Sequence, residues 1–430
     1  MPHFELLGLD LKIENGEVQG STAGTMGPML HGYLSLFLQG LNKNRVVATR
    51  NGGNVYTLYQ PPVPSKAAVS DLTRKLMKKF TKAPYPSTCT LQTTNRCQAS
   101  CIHCSAAFNM AQKNRRELTT EEFKDLIDQA LALGVVNVTL SGGEPLLRED
   151  ILELVAHVDP DRANCMMFTN GLLLDRAMSR DLKKAGIFSV MVSLDSPLEE
   201  EHDRMRRCPG LFRKAVEGIK NLLEEDVLVG ISTYASHENM KNGRLIETME
   251  LGRELGIHEL TVFDSVPTGE YLRHCGCILT PEEKDELRKL TEQWREDPDY
   301  PLCTTQAWIN SPQGSGCFAA NEQFYMTAWG DIGPCDFTPL SFGNVREDSL
   351  SAIWQRTLTH PAYCDAHQQC RMQDPEFRKQ YIDTIPEGAR LPIEVWKDPE
   401  AFKPPAEGDF KPSGKSKKTA FDLTLNKVGF

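Results

Sequence analysis

The sequence predicts an α/β fold, a partial (β/α)6 barrel of the TIM type, and three observations carry the prediction. Short β-branched runs alternate with helical stretches from Thr88 to Asp264, which is the order that builds a parallel sheet with crossover helices. Six such runs are too few to close an eight-stranded barrel, so an open partial barrel or a doubly wound sheet is expected. The 430 residues, 40% apolar and 25% charged, suffice for two or three modules with buried cores.

Each element of the barrel has its own signal. The β-branched runs predict strands at 88–94, 135–140, 164–169, 188–194, 227–233 and 258–263. The first helix opens at Thr119, where Glu122 completes a capping box, and Gly134 ends it. In both candidate folds the functional groups lie at the carboxyl ends of the strands.

Four segments make up the predicted domain organisation. They are an N-terminal module at 1–85, the barrel at 86–270, a cysteine-containing module at 271–395 with a helix at 280–294, and a mobile tail at 396–430 rich in Pro, Lys and Gly. The N-terminal module begins with a hairpin that turns at Asn15 and Gly16. Residues 59–65 are predicted to be a linker.

A helix follows the hairpin in the N-terminal module. Its apolar residues Met29, Tyr33, Phe37 and Leu41 fall on one face, which predicts a helix packed on the main body. The alternative is an interfacial helix that meets lipid.

Charge and composition exclude several functional classes. A net charge of −10 argues against a nucleic-acid partner, and no stretch has the apolar length of a membrane span. The start of the chain lacks the order of a signal peptide, so a cytoplasmic protein is expected. Thirteen cysteines in a reducing cytosol indicate metal sites or catalysts instead of disulfides.

Three cysteines crowd onto the loop after the first strand. Cys97, Cys101 and Cys104 can converge on one metal or cluster, but a closed zinc or iron-sulfur site uses four ligands, so one position is left open. The alternative is a structural zinc completed by His103 or a distant cysteine, in a binding or scaffold protein without catalysis. His103 is interpreted as a loop residue, because three thiols already surround it.

Three further stretches share the same predicted edge of the sheet. They are SGGEP at 141–145, TNG at 169–171 and SLDS at 193–196, which follow the second, third and fourth strands. Each alone is an ordinary turn or loop. Together they predict a pocket whose carboxylate, hydroxyl and backbone groups suit a ligand that carries an ammonium group and a ribose.

CQASCIHC, followed by SGGEP about forty residues later, resembles the radical S-adenosylmethionine (SAM) superfamily. The resemblance implies a [4Fe-4S] cluster on Cys97, Cys101 and Cys104, whose open iron binds the amino and carboxylate groups of SAM. It implies that SAM is cleaved to a 5′-deoxyadenosyl radical, which takes a hydrogen atom from the substrate. An electron donor such as flavodoxin or ferredoxin is the implied partner.

The same resemblance implies which residues contact SAM. These are Gly142, Gly143, Glu144, Ser193, Asp195 and Arg206. Glu144 and the two glycine backbones are expected at the amino group, and Ser193 with Asp195 near the ribose. Arg206 is expected at the SAM carboxylate, with Arg204 and Arg207 as alternatives.

Residues 316–354 resemble the SPASM/twitch extension of that superfamily, which binds auxiliary iron-sulfur clusters. The implied thiolates are Cys317, Cys335, Cys364 and Cys370, with Cys303, Cys275 or Cys277 as replacements for Cys364. The dense C-terminal run of cysteines for a second auxiliary cluster is missing, so one is expected. Four thiolates favour electron transfer, and three favour direct substrate binding.

The sequence therefore predicts a radical SAM enzyme with one auxiliary cluster, acting on a peptide or a small metabolite. The zinc-stabilised scaffold is the alternative, and it leaves SGGEP unexplained. The barrel-facing side of 262–270 is the expected place for substrate contacts.

Overall fold

A computed structural model describes residues 8–23, 27–81, 84–107, 115–312 and 314–397. The predicted mobile tail at 396–430 lies outside these ranges except for its first two residues. No helix in the described ranges combines the length and the apolar character needed to cross a membrane.

The N-terminal module begins with the predicted hairpin. Its elements are β1 (Leu9–Glu14), β2 (Glu17–Thr22), α1 (Gly27–Leu41), β3 (Ala48–Arg50), β4 (Gly53–Val55) and α2 (Lys66–Thr81). Asn15 and Gly16 form the turn with φ of 53° and 84°, the left-handed values that Asn and Gly tolerate best. Leu11 of β1 and Val18 of β2 pack with α1 and α2 in one small core.

Helix α1 buries a different face from the predicted one. Leu30, Leu34 and Leu38 are buried with Leu41, whereas Met29 is 63% exposed. Both faces carry apolar residues at helical spacing, so the periodicity does not distinguish between them. The helix packs on the hairpin, and of the predicted face only Leu41 is fully enclosed.

Residues 59–65 are packed on the barrel and do not form a free linker, contrary to the prediction, because Gln60 O accepts a hydrogen bond from Asn164 Nδ2 at 2.9 Å. The residues directly before them are packed in the same way. Val55 and Leu58 are fully buried against residues near the amino ends of the barrel strands. The Glu259 carboxylate accepts hydrogen bonds from Thr57 Oγ1 at 2.9 Å and from Leu58 N at 2.7 Å. This segment therefore closes the amino-terminal opening of the barrel.

The main sheet confirms the predicted partial barrel. Its parallel strands are β5 (Thr88–Gln92), β6 (Asn137–Ser141), β7 (Asn164–Thr169), β8 (Ser189–Ser193), β9 (Leu228–Ala235), β10 (Glu259–Asp264), β11 (Leu302–Thr305) and β12 (Gln323–Met326). They lie in the order β11-β10-β9-β8-β7-β6-β5-β12. All six predicted strands are present with ends within two residues, and the sheet continues past residue 270.

The sheet ends differ from those of a closed barrel. Beyond β12 the sheet adds two antiparallel strands, which are β13 (Asp331–Gly333) and β15 (Gly343–Asn344). A short parallel pair lies outside the main sheet and consists of β14 (Leu340–Ser341) and β16 (Ile393–Glu394). The rings of Phe168 on β7 and Phe263 on β10 are 6.3 Å apart. Three flat strand spacings would separate them by about 14 Å, so the sheet curls around its interior.

The remaining helices cover the sheet and the second module. They are α3 (Thr120–Leu133), α4 (Ile151–His157), α5 (Arg176–Ala185), α6 (Glu199–Arg206), α7 (Leu211–Glu224), α8 (His237–Lys241), α9 (Arg244–Leu255), α10 (Pro281–Glu296), α11 (Gln306–Ile309), α12 (Leu350–Thr359) and α13 (Pro375–Phe377). The capping box of Thr119 and Glu122 forms as predicted, and Gly134 ends α3 with φ of 116°. Helix α10 begins after Thr280, close to the prediction.

Candidate functional site

The cysteine loop and the SGGEP stretch lie directly against each other. Gly143 N donates to Thr94 O at 2.7 Å, and Glu144 N donates to Arg96 O at 2.8 Å. A Cβ on Gly143 would lie 2.3 Å from Arg96 O, and one on Gly142 would lie 2.8 Å from Thr94 O. The glycines therefore allow the cysteine loop to approach, a role that the sequence did not reveal.

The three thiols of this loop are close enough to influence one another. Burial, and then the Cys101 and Cys97 thiols, raise the pKa of Cys104 to about 12. Burial also raises the pKa of Cys97 to about 11. Three neighbouring thiolates are unfavourable without a compensating cation, and iron ions supply that charge. The donor set thus fits the implied cluster.

The geometry does not favour the zinc alternative. Across the described ranges, no group of three or more His, Cys, Asp or Glu side chains is arranged to hold one metal ion. A [4Fe-4S] cluster places its thiolates on separate irons, so they need not converge on a point. His103 stacks on Tyr234 at 4.4 Å, and its Nε2 lies 3.3 Å from Asp195 Oδ2. It is a loop residue, as predicted.

Glu144 joins the SGGEP and TNG stretches. Its buried carboxylate accepts hydrogen bonds from Thr169 Oγ1 at 2.7 Å, Asn170 N at 2.8 Å and Leu146 N at 3.2 Å. Burial raises the pKa of Glu144 to about 6, against the opposing effect of these hydrogen bonds. Asn170 Nδ2 also lies 3.9 Å from Cys97 Sγ. The predicted edge stretches therefore meet at the cysteine loop.

Asp195 and Arg206 form a buried ion pair at the end of β8. Arg206 donates from Nε at 2.7 Å and from Nη2 at 3.1 Å to the two oxygens of Asp195. Burial raises the pKa of Asp195, but Arg206 and then the imidazoles of His103 and His202 outweigh it and bring it to about 2. Ser193, half-buried, ends β8 beside this pair.

The free side of Arg206 faces the cysteine loop. Its Nη1 lies 3.9 Å from Cys101 Sγ. Arg204 is exposed, and Arg207 pairs with Glu270 at 2.9 Å. Arg207 also donates from Nη1 to Ser100 O of the cysteine loop at 3.2 Å, but of the three arginines considered Arg206 is the one that lies beside a cysteine thiol.

The second module brings three of its four predicted thiols together. Burial, and then Asp336 and Cys317, raise the pKa of Cys335 to about 12. Burial, followed by the Cys317 and Cys335 thiols, raises the pKa of Cys370. Cys364 is exposed, and its thiol contacts Pro361 O at 3.6 Å.

The alternative cysteines are placed elsewhere in the fold. Cys303 is buried in β11, where burial raises its pKa and Arg295 and Glu259 are its charged neighbours. Cys275 and Cys277 share a short 3₁₀ turn. The assignment of a fourth auxiliary ligand stays a prediction.

Four aromatic side chains face the barrel interior, and sequence reasoning missed three of them. We call this set the ring chamber: Tyr59, Phe168, Phe263 and Phe337. Phe263 lies in the 262–270 stretch expected to contact substrate. Its ring is 6.1 Å from that of Phe337, and Tyr59 OH lies 3.1 Å from Thr261 Oγ1. No local pattern marks these residues, because they meet only through the curvature of the sheet.

Family models match the two modules described above. The radical SAM superfamily matches residues 91–252, and the SPASM iron-sulfur cluster-binding domain matches residues 317–376. The Fe-coproporphyrin III synthase of Methanosarcina barkeri is 30% identical over 297 residues, which cover 61% of this chain and 71% of that protein.

Two further proteins are similar to this chain. The PqqA peptide cyclase of Bradyrhizobium diazoefficiens is 27% identical over 290 residues, covering 64% of this chain and 74% of its own. The crystal structure of Streptococcus suis SuiB bound to the precursor peptide SuiA has a TM-score of 0.53 and 17% identity, over 76% of this chain and 77% of SuiB. The chain is a radical SAM enzyme and belongs to the SPASM-containing branch of the radical SAM superfamily.

Proposed function

We propose that this enzyme modifies a peptide by removing hydrogen from a carbon that the barrel interior holds between its two cysteine sites. The observation that carries the proposal is the placement of the ring chamber. Phe168 precedes Thr169, which binds Glu144 beside Cys97, and Phe337 follows Cys335 by two residues. A side chain in the chamber would lie near both sites.

Different residues of the first site are assigned to different groups of SAM. We assign the cluster to Cys97, Cys101 and Cys104, and the cluster with SAM supplies the 5′-deoxyadenosyl radical that abstracts hydrogen. The Glu144 carboxylate, fixed by three hydrogen bonds, is positioned for an amino group. The backbones of Gly142 and Gly143 lie beside it, and Ser193 is assigned to the ribose.

Arg206 is assigned to the SAM carboxylate. Asp195 holds its Nε and Nη2, which fixes the guanidinium plane and leaves Nη1 directed toward Cys101. Asp195, placed near the ribose from the sequence, therefore acts here mainly through Arg206. Flavodoxin or ferredoxin remains the proposed electron donor.

The auxiliary cluster is assigned to Cys317, Cys335 and Cys370. Cys364 is assigned as the fourth ligand only if its exposed segment moves toward the other three. Three neighbouring thiols, of which those of Cys335 and Cys370 are buried, favour a cluster with a position open to substrate.

A peptide test follows from the proposed reaction. The enzyme is co-expressed with each short peptide encoded beside its gene, and the peptides are analysed by mass spectrometry. Loss of two hydrogens, a decrease of about 2 Da, is expected in one peptide: one hydrogen atom would go to the 5′-deoxyadenosyl radical, and the substrate radical would then release a proton and pass one electron to the auxiliary cluster. This loss is expected to disappear with Cys101→Ser. Unmodified peptides in every case, with active SAM cleavage, would contradict the peptide assignment.

A second candidate function rests on the relatives. The Fe-coproporphyrin III synthase matches this chain over 71% of its own length, which favours a tetrapyrrole substrate. Incubation with Fe-coproporphyrin III and SAM under reduction, followed by mass spectrometry, distinguishes the two. Conversion of this tetrapyrrole would replace the peptide assignment.

A further inference from the structure

Arg371 is a buried cation without a carboxylate partner. Four arginines in the described part of the chain are buried, and three of them form a short ion pair: Arg148 with Asp150 at 2.7 Å, Arg206 with Asp195 at 2.7 Å, and Arg378 with Asp383 at 2.9 Å. Arg371 is only 5% exposed and pairs with none of the described carboxylates. Because an uncompensated buried charge is unfavourable, a group of negative charge is expected beside it.

The hydrogen bonds around Arg371 also leave donors without acceptors. Its Nη2 donates to Asp365 O, and its guanidinium lies 5.0 Å from the centroid of the Tyr363 ring. Its Nε is buried and meets no acceptor among the described residues. The Tyr363 hydroxyl, also buried, makes no hydrogen bond within 3.5 Å in the same ranges. Two neighbouring buried donors therefore lack an acceptor group.

Arg371 closes a loop at the predicted auxiliary site. It directly follows Cys370, and the hydrogen bond from its Nη2 spans residues 365–371. The same loop lies against Cys317, because Cys317 N donates to His367 O at 2.8 Å. The loop that holds the guanidinium therefore ends next to Cys370 and contacts Cys317, two of the three cysteines assigned to the auxiliary cluster.

The Tyr363 hydroxyl lies on the side of the third of these cysteines. Thr338 Oγ1 is 3.2 Å from Cys335 Sγ. Burial, and then the Cys335 thiol, raise the pKa of Tyr363 well above its ordinary value, against the opposing effects of Arg371 and Thr338. The phenol therefore keeps its proton and is available as a donor.

An iron-sulfur cluster supplies what both donors lack. Its sulfur atoms accept hydrogen bonds, and the cluster with its cysteine ligands carries a net negative charge. A buried cation and hydrogen-bond donors beside a cluster favour the reduced form, which holds one more electron, and so raise its reduction potential. The groups around the three thiols therefore fit a cluster, and they fit one that accepts an electron.

We propose that Arg371 is the counter-ion of the auxiliary cluster and that Tyr363 donates a hydrogen bond to it, which prepares the cluster to take an electron from the substrate radical. The inference rests on the proposed function, in which the substrate radical releases a proton and passes one electron to this cluster. Arg371 is a positioning residue, because it acts through the cluster and touches no reacting atom.

A redox titration of the auxiliary cluster tests the proposal. Full-length Cys101→Ser enzyme, reconstituted anaerobically, is expected to show the auxiliary signal alone, and electron paramagnetic resonance follows this signal against the potential. Adding Arg371→Gln keeps a hydrogen-bond donor but removes the charge. We expect the ratio of reduced to oxidised cluster at a given potential to fall about tenfold, which is a midpoint about 59 mV more negative. An unchanged midpoint with full iron content would overturn the proposal.

Further variants separate the charge from a structural role. Arg371→Lys keeps the charge and should restore at least half of the shift, and Tyr363→Phe should lower the same ratio about threefold. Arg356→Gln in α12 is the matched control, because Asp348 already neutralises Arg356 at 2.8 Å, and its midpoint should equal that of the parent. A purely structural contact predicts partial loss of iron with no shift in the cluster that remains, and this result would contradict the proposal.

Iron content and peptide modification keep the outcomes separate. If Arg371→Gln loses all auxiliary iron, the other two variants decide: a tenfold fall in Arg371→Lys, or the parent midpoint in Tyr363→Phe, would overturn the proposal. Normal peptide modification with unchanged midpoints would overturn this inference alone. The expected shifts without any peptide modification would contradict only the proposed function.

Discussion

At the scale of single residues, the Arg206 and Asp195 pair is the polar contact on which the first site depends most. Both side chains are buried, and each satisfies the charge of the other through two hydrogen bonds. Sequence reasoning found both residues through the resemblance, but not their contact. A contact between the end of a strand and the last turn of the next helix has no fixed spacing.

Arg206→Gln is expected to destabilise the fold and to abolish SAM cleavage. It leaves the Asp195 carboxylate buried without its main partner, which costs about 3 kcal/mol of unfolding free energy. Urea unfolding and 5′-deoxyadenosine formation measure the two effects. Arg213→Gln, at an exposed ion pair, serves as the control and should behave as wild type. Full stability in Arg206→Gln would contradict the role of this pair.

The pKa of Glu144 predicts how SAM binding depends on pH. With a pKa raised to about 6 by burial, the carboxyl is protonated below pH 6 and ionised above it. The ionised form attracts the SAM amino group, so SAM affinity should be about tenfold weaker at pH 5 than at pH 7. Calorimetric titration with unreduced enzyme measures this. Glu144→Gln should bind weakly at every pH, and a flat wild-type profile would contradict the assignment.

At the scale of elements, periodicity and capping predicted the strands and helices that repeat a regular pattern. The six strands and the Thr119 capping box depend on neighbouring residues, and such signals are local. The prediction of the buried face of α1 failed because this helix carries two apolar stripes at helical spacing. The prediction of a linker at 59–65 failed because proline-rich composition indicates a loop, whereas the packing of this segment depends on contacts with the distant strands β7 and β10.

The close contact of two loops predicts a strong effect of Gly143→Ala. The new Cβ would lie 2.3 Å from Arg96 O, so the cysteine loop must shift. We expect the iron bound per chain to fall by about half, because the auxiliary site stays intact. Gly32→Ala, at a glycine of helix α1 with open space around it, is the control and should retain full iron. Wild-type iron content in Gly143→Ala would contradict this.

At the scale of the whole molecule, the fold brings two cysteine sites to one barrel interior. The sequence predicted each site from short cysteine spacings and a family resemblance. It did not predict that β11 and β12 extend the parallel sheet at its two edges, because each of these strands is only four residues long. It also could not place Cys364 away from the other three thiols, since spacing carries no direction.

The central claim is that Cys97, Cys101 and Cys104 hold an iron-sulfur cluster with one iron open to SAM. Electron paramagnetic resonance of the dithionite-reduced enzyme, with and without SAM, tests it most directly. The account predicts that SAM changes the signal of one cluster in the wild type, and that Cys101→Ser removes this signal but retains the auxiliary one. A spectrum that SAM leaves unchanged, or a SAM-responsive signal that persists in Cys101→Ser, would contradict it.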